Sequence, residues 1–119
     1  MFLTGNTYPT SLIRRPVRIT PVSMEYYRSR LEEGGWESYW GHANTLEAAR
    51  SVCGFDLSPR TERPPVTLDA EGYPVLYGQQ YRECLVLSPD YAPGYRPDIE
   101  KEDRAEDILS WTVLRIEWE

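Results

Sequence analysis

The sequence predicts a mixed α/β (α+β) fold: a sheet of about five strands with helices packed mainly on one face, built as a single domain over residues 1–119. Three observations predict it. Short runs with period-two alternation recur between stretches of helical spacing, a hairpin-like pair of strands lies near the middle, and no internal repeat or linker divides the chain. Parallel and antiparallel neighbours are both expected.

In chain order, Phe2-Leu3-Thr4 reads as a short first strand, broken by Gly5-Asn6 and Pro9. Thr10 to Arg15 fits one helical turn ahead of Pro16. Val17 and Ile19 alternate with Arg18 and Thr20, which marks a second strand with one wet face. Met24, Tyr27 and Leu31 fall at i, i+3 and i+7, so a helix starts near Pro21-Val22-Ser23 and ends at Gly34-Gly35. Trp36 to Trp40 is an aromatic strand. The spacing then predicts a helix from Thr45 to Cys53, with Leu46, Ala49 and Cys53 on its buried face and Gly54 as its stop.

Ser58 to Pro65 reads as a loop, and Val66-Leu68 and Val75-Tyr81 as an antiparallel pair about an Asp69-Gly72 turn. Ser88 to Pro97 carries three prolines and reads as a loop or flap. Both it and the Gly5-Pro9 loop carry tyrosines and flank strand ends, so one or the other is expected to close over a ligand as a lid. Asp98 to Leu109 is expected as a charged helix with a thin apolar stripe at Ala105, Ile108 and Leu109. Trp111 to Trp118 closes the chain as a strand. Thr112, Leu114, Ile116 and Trp118 lie on one side, and Trp111 and Val113 on the other.

Composition narrows the function classes. Hydrophobic content of 40% and charged content of 27% fit a globular domain. The formal net charge is −6, with one lysine (Lys101) and twelve arginines outweighed by acids. Duplex DNA binding needs surplus cationic side chains and is not expected. A small phosphate-bearing ligand held by two or three arginines remains compatible, because a guanidinium forks onto phosphate oxygens. Arg14, Arg15 and Arg18 form the densest positive cluster and read as an exposed turn and strand face. Cys53 and Cys84 have neither the spacing nor the companions of a zinc site and read as reduced thiols. No metal and no cofactor are expected. Met1-Phe2-Leu3 runs at once into Thr4-Gly5-Asn6, and no apolar run nears the roughly 20 residues of a membrane span, so a cytoplasmic location without membrane contact is expected.

The richest passage is Gly41-His42-Ala43-Asn44-Thr45, which sets the only histidine immediately before a helix start. Asn44 or Thr45 is placed to cap that helix. A helix start offers free N–H groups and partial positive charge, hence an anion site. An imidazole beside it can exchange protons with something bound through a phosphate, and can equally bond a loop carbonyl or face water.

The order of motifs resembles the small viral type III anti-CRISPR ring nucleases, the ring nuclease 2 group. The resemblance runs the length of the chain. It rests on the opening Phe-Leu-Thr strand, Pro-Val-Arg-Ile-Thr, Gly-His-x-x-Thr leading into a helix that ends in Cys-Gly, an Arg-led strand, Gln-Gln-Tyr-Arg-Glu at a strand end, and the aromatic last strand. It implies a homodimer that binds cyclic tetra-adenylate across its interface. The ring is cut without metal into fragments ending in 2′,3′-cyclic phosphates. Carried over, the catalytic residues are His42, Arg82 as strand-end phosphate clamp, and Glu83, which the family spaces farther from its arginine. Thr45 and Arg63 become ligand contacts. In the first loop, Asn6, Tyr8 and Thr10 stand where the family has a polar stretch, with Tyr8 in place of a ligand-touching serine, and Asn44 joins them at the helix start. A phenol also donates to phosphate but is larger, so ring size and base identity stay open.

Such a reaction needs a 2′-hydroxyl in line behind the phosphorus, charge stabilisation on the equatorial oxygens and a proton for the departing 5′-oxygen. His42 is the expected proton-transfer residue. Two readings of other classes stand beside the nuclease: a sponge that binds a cyclic nucleotide without cutting it, and a protein-interaction or DNA-associated module of the same fold.

Overall fold

The computed structural model describes residues 1–41, 43–62, 65–91 and 108–119. Its principal sheet has five strands: β1 (Phe2–Gly5), β2 (Val17–Val22), β3 (Trp36–Ser38), β7 (Glu83–Tyr91) and β8 (Ile108–Trp118), in the order β2-β8-β7-β1-β3. β1 runs parallel to both β3 and β7, while β8 runs antiparallel to both β7 and β2. The expected mixed sheet of five strands is therefore present. A second sheet of β4 (Thr67–Leu68), β5 (Pro74–Leu76) and β6 (Gln79–Gln80) stands apart from it.

The two faces of the main sheet are covered differently. Phe2, Leu85, Leu87 and Val113 pack with Tyr27 and Leu31 of α1 (Met24–Glu33) and with Ala49 and Cys53 of α2 (Ala43–Cys53). Leu3, Cys84, Val86, Ile116 and Trp118 pack on the opposite face with Leu76 of the small sheet, with Tyr73 just before β5, and with Tyr8, Tyr39 and Tyr81. The helices thus share one face. The period-two split of the last strand holds, with Val113 on the helix face and Leu114, Ile116 and Trp118 on the other.

β1 is the most deeply buried strand: Leu3 and Thr4 are both 0% exposed. A strand covered on both faces carries little polarity, and the one hydroxyl it holds is paired. Thr4 Oγ1 donates to the Leu85 carbonyl at 2.8 Å and receives the Tyr27 hydroxyl at 2.6 Å, which ties β1 to β7 and to α1.

Both helices are bounded by identifiable stops. Ser23 caps α1, its hydroxyl accepting from the Tyr26 N–H at 3.0 Å, and Gly34 ends it at φ +80°. Pro21 and Val22, expected in the helix entry, belong to β2, because Val22 continues the pairing with Val113. α2 begins earlier than expected, at Ala43, so Asn44 and Thr45 sit inside its first turn instead of capping it. Gly54, at φ +83°, closes it with an N–H bond to the Arg50 carbonyl at 2.8 Å. Arg28 of α1 donates twice to the Val52 carbonyl, at 3.1 and 2.8 Å, placing a cation at the negative end of α2.

Three further expectations change. The run from Val75 to Tyr81 is two strands joined by a two-residue turn, with Tyr77 at φ 50° and Gly78 at φ 74°. Positive φ at both positions is the hairpin turn that matches strand twist, and Gly78 takes it without steric cost. β7 continues through Ser88 and Pro89 to Tyr91 instead of giving way to a loop. The Trp118 N–H bonds the Arg82 carbonyl, and the β7–β8 register then turns even-numbered residues of β7 toward β8. Pro89 therefore lies where no N–H is needed for that pairing. Ile108 opens β8, so the helix expected from Asp98 does not reach it; residues 98–107 lie outside the described residues.

Thr4→Val is expected to destabilise the fold by about 1–3 kcal/mol, because it leaves the buried Tyr27 hydroxyl without its partner. The double variant Thr4→Val/Tyr27→Phe removes both polar groups and is expected to recover most of that loss. Urea denaturation of the wild type, both single variants and the double variant checks the cycle.

Candidate functional site

Three parallel strands, β3, β1 and β7, deliver their carboxyl ends to one end of the sheet. α2, from Ala43, starts at that end, shortly after Tyr39 and Trp40. The segment after β1 is firmly held there. The Tyr39 N–H bonds the Thr4 carbonyl at 3.0 Å, its hydroxyl donates to the Thr7 carbonyl at 2.5 Å, and the Ser88 hydroxyl donates to the Asn6 carbonyl at 2.8 Å. A Cβ on Gly5 would stand 2.5 Å from the Tyr39 ring, so the ring's seat requires glycine. The Gly5-Pro9 segment, expected as a lid, is thus tied down by its own contacts.

The first-loop residues divide. Asn6 is half-buried at the carboxyl end of β1. Tyr8 is a core residue: its ring packs edge-on to Tyr39 and Trp118, at centroid distances of 6.2 and 5.2 Å, and its hydroxyl donates to the Leu12 carbonyl. Burial pushes the pKa of that hydroxyl up. In this arrangement the phenol is directed into the core, with its hydroxyl on the Leu12 carbonyl. Thr10 is exposed and opens a 3-10 turn, Thr10–Leu12. Thr45 is buried, and its hydroxyl accepts from the Trp40 indole at 2.9 Å, fixing the strand-to-helix turn. His42 and Arg63 lie outside the described residues, as does the side chain of Asn44.

Arg82 and Glu83 are placed elsewhere. β7 begins at Glu83, so Arg82 precedes a strand and does not end one. The register of Leu3 with Cys84 and Gly5 with Val86 sets Glu83 level with Phe2, and Asn6 level with Leu87. Four residues of strand, roughly 13 Å, separate the two levels. Within one protomer, then, Arg82 and Glu83 lie level with the amino end of β1, whereas Asn6 follows its carboxyl end.

Each of the pair has structural partners. The Arg82 guanidinium stacks 4.3 Å from the Tyr73 ring centroid, and Arg15 stacks 4.0 Å from the same ring. Arg15, expected on an exposed turn, donates to the Glu119 carbonyl at 2.9 and 2.6 Å and to the Glu71 carbonyl at 2.8 Å. Glu83 is not paired with Arg82. It takes a two-pronged pair of bonds from Arg30 at 2.8 and 2.6 Å and a further bond from Arg115. Arg30 in turn donates to the Tyr26 hydroxyl at 2.8 Å and lies 4.9 Å from the Phe2 ring centroid. Burial pushes the Glu83 carboxyl up, but the two arginines outweigh it and hold its pKa below the ordinary value. Periodicity finds neither arrangement, because Arg30 and Arg115 are remote from Glu83 in the chain. Sequence reading also missed Tyr39 and Ser88, which order the carboxyl end of β1. The one available signal was a glycine closing an apolar strand, at Gly5.

No protein-family model matches the chain, and no curated protein matches it. Among solved structures it is similar to B116 of Sulfolobus turreted icosahedral virus (STIV), with a TM-score of 0.59 and 14% sequence identity over 99% of this chain and 98% of that one. The chain shares its fold with a viral protein. At that identity the likeness concerns the fold alone, but it spans both sequences almost from end to end. Among the described residues, no helix is long and apolar enough to cross a membrane.

Because the pKa of Glu83 is lower in the folded state than in the unfolded chain, the unfolded state takes up the proton first as pH falls. The stabilisation is complete above the unfolded value of about 4.3 and is lost as pH drops through the folded value. Glu83→Gln is therefore expected to lower stability at pH 7 and to flatten the acid limb below about pH 4.3. Thermal melts of the two proteins between neutral pH and pH 3 check this.

Proposed function

We propose that this protein is a metal-independent ring nuclease that binds a cyclic oligoadenylate messenger, cyclic tetra-adenylate first among them, and opens it to silence type III CRISPR signalling. The reading rests on the resemblance of its motif order to the viral anti-CRISPR ring nucleases. One observation carries it further. α2 starts at the same end of the sheet as the carboxyl ends of β3, β1 and β7. That end is where open α/β sheets receive phosphate-bearing ligands. The shared fold with a virus protein supports a viral setting, and the reading puts the protein in the cytoplasm of an infected cell.

In this reading the first-turn N–H groups of α2 receive a ring phosphate, and a ribose 2′-hydroxyl, losing its proton to water, attacks the adjacent phosphorus. The bond to the 5′-oxygen breaks, His42 gives that oxygen a proton, and a 2′,3′-cyclic phosphate remains on the other fragment. An imidazole with a pKa near 6.5 performs that transfer at neutral pH.

A second reading, a sponge that holds the ring uncut, is favoured by the position of Arg82 and Glu83. Both carried-over groups stand at the far end of β7, engaged with Tyr73 and with the Arg30-Arg115 pair. A site without a charge clamp binds more readily than it cleaves.

Incubation with cyclic di-, tri-, tetra- and hexanucleotides in EDTA, resolved by chromatography, separates the two. The nuclease reading expects linear fragments from one ring size. It also expects His42→Ala to slow cleavage by roughly 10² to 10⁴ with binding kept within about tenfold. Tight binding without products makes the protein a sponge, and no binding to any ring removes both readings.

A further inference from the structure

We infer that Tyr39 and Ser88 are positioning residues: by drawing the carbonyls of Thr7 and Asn6 inward, they turn the N–H groups of Thr7 and Tyr8 outward as a pair that grips a phosphate oxygen. The inference deepens the reading above, on which it rests for the molecule that carries the phosphate. The grip itself follows from the backbone.

Asn6, Thr7 and Tyr8 lie between β1 and Pro9, and side chains take two of their carbonyls. The Ser88 hydroxyl, from β7, donates to the Asn6 carbonyl at 2.8 Å. The Tyr39 hydroxyl, from the residue just past β3, donates to the Thr7 carbonyl at 2.5 Å. No peptide bond among the described residues is cis. In a trans peptide the N–H points opposite to the carbonyl of the same planar unit. The Thr7 N–H is therefore directed away from Ser88, and the Tyr8 N–H away from the Tyr39 hydroxyl.

Among the described residues, neither N–H has a hydrogen-bond partner. Backbone donors are rarely left so, which means that water or a ligand completes them. Thr7 is exposed, so the loop meets solvent at this point. The Asn6 amide and the Thr7 hydroxyl also have no partner among the described residues, and both add donors. Adjacent backbone N–H groups are the donors from which backbone anion sites are built. Pro9 has no N–H and ends the row.

The two holding side chains are themselves fixed. Tyr39 is buried with its ring over Gly5, where a Cβ would stand 2.5 Å from it. Its hydroxyl also meets the Cys84 thiol at 3.2 Å. The phenol proton goes to the Thr7 carbonyl, so the thiol donates to the phenol oxygen. Burial keeps that thiol protonated, its pKa pushed up to about 12. The acid next along the Ser88 side of β7, Asp90, has its Oδ2 taken by the Ser110 and Thr112 hydroxyls of β8, at 3.0 and 2.7 Å.

The pair follows the carboxyl end of β1, at the same end of the sheet as the start of α2. A cyclic oligonucleotide carries several phosphates, so two backbone grips at one end have two points to hold.

Amide NMR of the isotope-labelled protein, titrated with inorganic phosphate against chloride at equal ionic strength, tests the grip. Saturable downfield amide-proton shifts are expected at Thr7 and Tyr8. Tyr39→Phe keeps the ring over Gly5 and loses only the hydroxyl, and Ser88→Ala loses the other. Each is expected to weaken phosphate binding at those amides by roughly two- to tenfold, the worth of one orienting hydrogen bond. Ser88→Thr, which restores the hydroxyl, is expected to bind as the wild type does. Circular dichroism follows the fold of each variant, and where one does not fold, the wild-type shifts and the other variant decide. Phosphate that leaves Thr7 and Tyr8 unmoved, or folded variants that hold it there as the wild type does, overturns the inference. The same titration with cyclic tetra-adenylate separates it from the reading it deepens. Phosphate felt at Thr7 and Tyr8 with no ring bound keeps the grip and removes the ring. A bound ring that leaves both amides unmoved keeps the ring and removes the grip.

Discussion

The rest of the structure depends on the burial of β1 from both sides. Its parallel partners, β3 and β7, take up its backbone groups, the helices cover one face, and the tyrosine-rich small-sheet layer covers the other. Because water is excluded from that strand, a polar group on it must be satisfied from within. The Thr4 hydroxyl meets that demand by joining the Leu85 carbonyl to the Tyr27 phenol. The same crowding reaches the end of the strand, where Tyr39 lies over Gly5 and fixes the course of the chain to Tyr8. The geometry at the carboxyl end, and with it any site there, follows from how β1 is covered.

Arginine is used here chiefly as a structural residue. Arg28 satisfies a last-turn carbonyl of α2, Arg15 holds Glu119, just past β8, to the Asp69-Gly72 turn, and Arg30 and Arg115 share one carboxylate. A planar fork of donors suits these tasks, because several carbonyls or carboxylate oxygens are met at once. A chain with twelve arginines and a net charge of −6 therefore has fewer guanidinium groups available to a phosphate than its composition suggests. Among the described residues, the Arg82 guanidinium makes a long bond to Gln80, at 3.4 Å, and so keeps more of its donors. Its stacking on Tyr73 nevertheless sets it at the amino end of β7, away from the start of α2.

The sequence by itself determined which residues alternate, which recur at helical spacing and where glycine ends a helix. Those are local properties of side-chain period and backbone freedom, and they carried the strands at Phe2, Val17 and Trp111, both helices, the five-stranded mixed sheet and the shared helix face. Tertiary structure alone decided the rest. Whether Tyr8 faces a ligand or the core depends on Tyr39 and Trp118, which come to it from distant strands. Whether Arg82 ends a strand or starts one depends on the Tyr77-Gly78 turn and on the register of β7 against β1. Glu83 acquires its partners from α1 and β8, and Pro89 is accepted within a strand because of the direction its backbone faces. Pairing register and strand order are non-local: the same alternation of side chains fits several alignments, and only the simultaneous burial of both sheet faces selects one.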